Sequence, residues 1–136
     1  MKLNPDCIRD LLLYLENTLS VSKHGCNVFS FDSLSIRQIS QGLPTYQDTE
    51  LVNTIMALED GGFISASADY CGEGICVLEV NQITYSGYQF IEAVRPDDIW
   101  GKIKKTCLKV GSFSLDLVME TGTAALSSAA ISLLNL

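Results

Sequence analysis

Residues 63–83 read FISASADYCGEGICVLEVNQI, with β-branched residues on both sides of Cys71-Gly72-Glu73-Gly74. That pattern predicts a β-hairpin with a glycine-rich tip. Immediately before it, Leu51, Val52, Ile55, Met56 and Leu58 recur at helical spacing and stop at Gly61-Gly62, with Asp48 as the expected cap. A shorter helix precedes that one. Ser35 and Gln38 have capping-box spacing, Ile36, Ile39 and Leu43 share a face, and Gly42 with Pro44 closes the segment. Between Ser20 and Phe31 a glycine turn followed by Val28 and Phe31 predicts one strand. At the start, Asn4-Pro5-Asp6 offers a side-chain cap, a first-turn proline and an acid at the positive end of the dipole. The first helix then runs to about Leu19, with Ile8, Leu11, Leu12, Leu15 and Leu19 on one stripe and Arg9, Asp10 and Glu16 facing water.

Helix, strand, helix, helix, hairpin is the order of a winged-helix core, so the expected class is α+β and mostly helical, with further helices after the hairpin. Thr84 caps the first of these, which carries Tyr88, Ile91 and Val94, and Gly87 in its first turn lets another backbone come close. Pro96 to Asp98 restart the chain as a fifth helix with Ile99, Trp100, Ile103 and Cys107 inward. Its lysines, Lys102, Lys104, Lys105 and Lys109, lie toward the end that favours cations, before Gly111. Ser114 and Asp116 begin a sixth helix expected to reach Leu136. The division expected is a winged-helix domain at 1–95 and a C-terminal helical extension at 96–136, packed on it or on a second subunit.

A chain of 136 residues with 47% apolar and 18% charged residues is long enough for one domain with a real core. The opening MKLNPDCIRDLLLYLEN lacks the continuous apolar run of a secretory signal, so a cytoplasmic location is expected. Five scattered cysteines, an odd number, argue against a disulfide framework and make reduced thiols the default. The net charge of −7 is uneven. Residues 1–99 hold 5 basic and 14 acidic side chains, residues 100–136 hold 4 and 2, and most of this surface therefore repels phosphate backbones.

Thr84, Gly87, Phe90, Arg95, Asp97, Ile99, Trp100, Lys102 and Lys104, together with the opening segment, resemble a family of small bacterial and phage or prophage proteins, the domain of unknown function 2513. The family pattern runs roughly Leu-Thr-x-x-Gly-His-x-Phe-Leu and then Ile-Arg-Asp-Asp-x-Ile-Trp-x-Lys. Here Ile83 replaces the Leu, Tyr88 the His, Val94 the Ile and Pro96 the first Asp. A Tyr cannot serve as a neutral-pH base or an imidazole ligand, so chemistry at that position is not transferable. The resemblance implies the fold and a phage or prophage origin, and no activity.

Each reactive constellation has a plainer alternative. His24, Cys26, Cys71 and Cys76 make the best zinc set, three thiolates and an imidazole, if the strand after helix 1 lies beside the wing. The loose Cys-x4-Cys spacing weakens it, and the expectation is no metal and no cofactor; the alternative for Cys71 and Cys76 is oxidation in air to a disulfide across the hairpin, adventitious in a reducing cell. One His without a nucleophile motif predicts a non-enzyme. Glu92, Asp97 and Asp98 read as helix-start charges before they read as a catalytic carboxylate group. The third helix and the wing carry acids and no Lys or Arg, which disfavours DNA at the usual winged-helix docking face; the alternative expectation is a DNA-binding transcriptional regulator that uses the lysines of the helix at 96–110 or a dimer surface.

Asp48, Glu50, Glu59, Asp60 and Glu73 form the candidate face for an unidentified protein partner, with host proteins among the candidates. After Glu120, TGTAALSSAAISLLNL is uncharged, too short and too hydroxylated to span a membrane, and small at Ala125 and Ala129. The expectation is a homodimer through residues 114–136. Arg95 is expected to pair with Asp97 or Asp98.

Overall fold

Residues 1–110 and 115–135 are described by the computed structural model, with the side chains of residues 110, 115, 117, 119, 121–123, 125, 126 and 129 outside that description. The chain divides into two compact units, Met1–Tyr88 and Gln89–Leu136. The α+β class is as expected.

In the first unit, α1 spans Pro5–Thr18 and opens as the sequence requires: the Asn4 side chain accepts from the Asp6 amide at 3.0 Å, and Pro5 occupies the first turn. Cys7, Ile8, Leu11, Leu12 and Leu15 are fully buried, one stripe of a 3.6-residue period. Leu19 lies just past the helix end, half-buried, with its amide bonded to the Leu15 carbonyl at 2.9 Å. Asp10 does not simply face water. It is half-buried and accepts a 2.6 Å hydrogen bond from the Tyr46 hydroxyl.

Where a glycine turn followed by one strand is expected between Ser20 and Phe31, there is a strand on each side of the turn. β1 (Ser20–His24) and β2 (Val28–Asp32) pair antiparallel as a separate two-stranded sheet. Gly25 turns the chain at φ 64°, a left-handed conformation open to glycine at little cost. The register places Val21 opposite Phe31 and Lys23 opposite Phe29 on one face, and Ser20 opposite Asp32 and Ser22 opposite Ser30 on the other. A two-residue strand, β3 (Leu34–Ser35), follows and joins a different sheet.

α2 (Ile36–Gly42) has the complete capping box, with the Gln38 amide donating to Ser35 Oγ at 3.2 Å and the Ser35 amide to Gln38 Oε1 at 2.9 Å. α3 (Asp48–Asp60) buries Leu51, Thr54, Ile55 and Leu58. Its cap is Gln47, without a side-chain bond, and Asp48 is the first helical residue. The Asp48 carboxylate is instead the acceptor of the Ser40 hydroxyl, which removes it from capping. Asp48 and Glu50 still sit in the first turn, at the favourable end of the dipole.

β4 (Ile64–Cys71) and β5 (Gly74–Ile83) form the predicted hairpin, and β5 is central in a three-stranded antiparallel sheet of order β3-β5-β4. The tip is a two-residue turn, Gly72-Glu73, with Gly72 at φ 63°. Near the tip the ladder is irregular: Asp69 pairs with Val77 and Tyr70 with Ile75, so Cys76 is the extra residue of a bulge. Towards the base, Ile64, Leu78, Val80 and Ile83 are buried.

α4 (Tyr85–Val94) begins at the end of the first unit and continues into the second. The second unit continues with α5 (Asp97–Val110) and α6 (Leu115–Leu134), which pack on one another. Ile99, Trp100, Ile103 and Cys107 are buried, at the spacing expected of the inward face of α5, and Val118 of α6 is buried too. Gly111 and Ser114, read as the end of α5 and the start of α6, lie outside the described residues, as do Leu136 and the side chains of Ala125 and Ala129.

Candidate functional site

The joint between the β4–β5 hairpin and α4 holds the first part of the residue signature, and its geometry is that of a structural lock. The Thr84 amide donates to the Phe63 carbonyl at 3.1 Å, and its hydroxyl donates to the Gly62 carbonyl at 2.5 Å. The same hydroxyl accepts from the Gly87 amide at 3.2 Å, the predicted cap. Gly87 faces the Phe63 carbonyl so closely that a β-carbon there would stand 2.1 Å from the oxygen. Phe90 is fully buried.

Further along, Arg95 bonds Glu92 at 2.7 Å, one helical turn back and exposed, a pair worth about 0.5 kcal/mol. The Glu92 partner adds to the pairing expected with Asp97 or Asp98, and its i, i+3 spacing from Arg95 is legible in the sequence. The Lys104 ammonium lies 5.8 Å from the centre of the buried Trp100 ring. Its signature position thus has a packing explanation.

The acidic face divides. Glu50 accepts from the Asn4 amide group at 2.9 Å, and Asp48 from Ser40, so both tie α3 to its neighbours. Glu59 and Asp60 are exposed at the other end of α3, about 18 Å away by helical rise, and Glu73 is exposed at the hairpin tip. Val52, Asn53, Met56 and Ala57, half-buried, separate the two charged ends. The last turn has no basic residue, so Glu59 and Asp60 work against the helix dipole.

The proposed metal ligands separate into two pairs. His24 ends β1 and Cys26 sits in its turn, whereas Cys71 and Cys76 are joined as a disulfide with Cα atoms 5.7 Å apart. Among the described residues no three His, Cys, Asp or Glu side chains gather as a metal site. The expectation of reduced thiols therefore has one exception.

The β1–β2 hairpin carries a polar cluster that sequence reasoning missed. Asp32 accepts from Ser20 Oγ at 2.8 Å and from Ser22 Oγ, and these two bonds hold its carboxyl below the usual carboxylate range. His24 Nε2 lies 2.8 Å from Ser30 Oγ. The alternation of Ser20, Ser22 and His24 was the available signal, hidden by reading one strand where there are two. A Ser–His contact on an exposed hairpin lacks the water-excluded surroundings on which nucleophilic catalysis depends. The opposite face exposes Val21, Phe29 and Phe31, with Lys23 5.9 Å from the Phe29 ring centre.

An open depression of about 210 Å³ is lined by Ile36, Arg37, Ser40, Gln41 and Asp48. That is below the range of about 300–1,000 Å³ in which small molecules are enclosed. Among the described residues no helix is long and apolar enough to cross a membrane.

No curated protein and no solved structure matches the chain. A family model does: residues 2–114, from just before α1 past the end of α5, match the family described as a hypothetical protein, DUF2513, and the chain belongs to that family.

Proposed function

We propose that this chain is a non-enzymatic protein-interaction module of phage or prophage type, built on a winged-helix core and working in the cytoplasm. The observation that carries the reading is the charge on α3 and the hairpin tip. Glu59, Asp60 and Glu73 are exposed, and two of them occupy the helix end where acids are unfavourable. Stability alone would not place them there, and recognition of a basic surface on a partner, from a host, would. The winged-helix assignment is supported by the order of α1, β3, α2, α3, β4 and β5 and by the pairing of β3 with β5. The β1–β2 hairpin is then an insertion after α1.

Self-association through residues 114–136 belongs to the same proposal. Ile131, Leu133 and Leu134 of α6 are 58%, 71% and 85% exposed in the single chain, an apolar end that a second copy would cover. Two measurements test the module. Affinity capture from a bacterial lysate should retain a basic protein on the native chain and lose it on a Glu59→Lys, Asp60→Lys variant; equal retention by both removes the acidic face from the reading. Light scattering at micromolar concentration should give a dimer that Ile131→Asp with Leu134→Asp converts to a monomer.

A second reading is DNA binding, favoured by one observation. Lys102, Lys105 and Lys109 are exposed at i, i+3 and i+7, one stripe along α5. Tight, steeply salt-dependent binding of duplex DNA, lost on replacing these three lysines by Gln, would establish it in place of the interaction module.

A further inference from the structure

We propose that the Cys71–Cys76 bond at the tip of the β4–β5 hairpin is a reversible thiol–disulfide exchange site, opened and closed by low-molecular-weight thiols and disulfides. The geometry is local. The two Cα atoms are 5.7 Å apart, within the range a disulfide spans without backbone movement, and Cys76 occupies the extra position of the bulge between Ile75 and Val77. Both cysteines are exposed, and so is every residue between them.

Reversibility follows from where the bond sits. It closes a loop of only four intervening residues, the case in which a cross-link removes least chain entropy. The ladder from Ile64 opposite Ile83 to Asp69 opposite Val77 holds the hairpin independently, and the buried residues Ile64, Leu78, Val80 and Ile83 lie at its far end. Opening the bond therefore frees the tip and leaves the sheet in place. Exposed disulfides of this kind are the ones that small thiols can reach.

Two of the remaining cysteines are shielded from exchange. Cys7 and Cys107 are buried, and burial pushes both thiols up, which keeps them from forming the attacking thiolate. Cys26 is exposed on the other hairpin and takes up small thiols itself, so the exchange is read in a Cys26→Ser chain.

The exchange balances as two displacements. A small thiolate attacks one sulfur of the pair, the Cys71–Cys76 bond breaks, and the departing sulfur takes a proton to leave one mixed disulfide and one free thiol. A second small thiolate attacks the mixed disulfide, releasing the oxidised small disulfide and the second protein thiol. Two electrons pass from the small thiols to the protein, and the reverse sequence closes the bond. Asp69 and Glu73 flank the pair, so a cationic aminothiol such as cysteamine meets attraction where anionic glutathione meets repulsion.

The test uses the full chain under native conditions. Millimolar cysteamine or glutathione is expected to open the bond completely, read as a gain of two hydrogens by intact mass, and glutathione disulfide to close it within the same molecule. Amide exchange over residues 70–77 is expected to quicken several-fold in the open form while Leu78 and Val80 stay protected. In the Cys26→Ser chain, Cys71→Ser is expected to take one glutathione from glutathione disulfide and hold it on Cys76 as a stable mixed disulfide. A bond that resists millimolar thiol until the protein is denatured, or a reduced protein that reoxidises only between chains, overturns the proposal.

Discussion

The Phe63 carbonyl oxygen stands 2.1 Å from where a β-carbon on Gly87 would be, so the first turn of α4 and the start of β4 approach as closely as backbones allow. Gly87→Ala has no flexible side chain to displace and must push the helix off the strand. The expected loss is about 2 kcal/mol or more, against about 1 kcal/mol for Thr84→Ala, which removes a cap and leaves the backbone contact. Urea denaturation of the two variants gives the order. A Gly87→Ala protein as stable as the native one would show that the approach is looser than this.

Asp32 makes the β1–β2 hairpin pH-sensitive. Its carboxyl is depressed by the bonds from Ser22 and Ser20, so the stabilisation is present above the ordinary carboxylate value and is lost as pH falls through the depressed one. Ser20→Ala with Ser22→Ala is expected to bring Asp32 back towards the ordinary value in an NMR titration. The amides of β1 and β2 should lose protection in acid before those of β4 and β5.

Tyr46 behaves in the opposite sense. Burial, then its bond to Asp10, raises the phenol well above its usual range. Its stabilisation is complete below the ordinary phenol value and disappears as pH rises through the raised one. Spectrophotometric titration of the native chain should leave a tyrosine protonated above the ordinary phenol value, and Tyr46→Phe should remove that laggard at a cost of about 1 kcal/mol.

Glu59 and Asp60 are the exposed residues whose neutralisation should help the fold. Glu59→Gln with Asp60→Asn relieves two charges at the negative end of α3 and is expected to raise stability by about 0.3–1 kcal/mol at low salt, with the gain shrinking in high salt. A loss of stability would mean that these acids have a structural task within the chain.

Much of the fold was legible in the order of residues because its signals are local. Ile8, Leu11, Leu12 and Leu15 are buried because their spacing fixes a stripe. Ser35 with Gln38 and Thr84 with Gly87 cap helices because three residues set the geometry. The α3 cap was misread for the converse reason: Asp48 has the right chemistry, but Ser40, eight residues earlier, holds its carboxylate. The glycine turn is legible but β1 is not, because SVSKH has one apolar residue, Val21, and becomes a strand only by pairing with β2; the polar cluster around Asp32 depends on that pairing.

The helices, the β4–β5 hairpin with its glycine tip, the acidic character of α3 and membership of one family are all readable along the chain. All of these rest on contacts between near neighbours or on composition. It takes the folded chain to show that Cys71 bonds Cys76 while His24 and Cys26 stand on another hairpin, that Glu50 is engaged with Asn4, 46 residues away, and that Gly87 is required by the carbonyl of Phe63. Such pairings depend on which distant segments the core brings together. No periodicity along the chain encodes that.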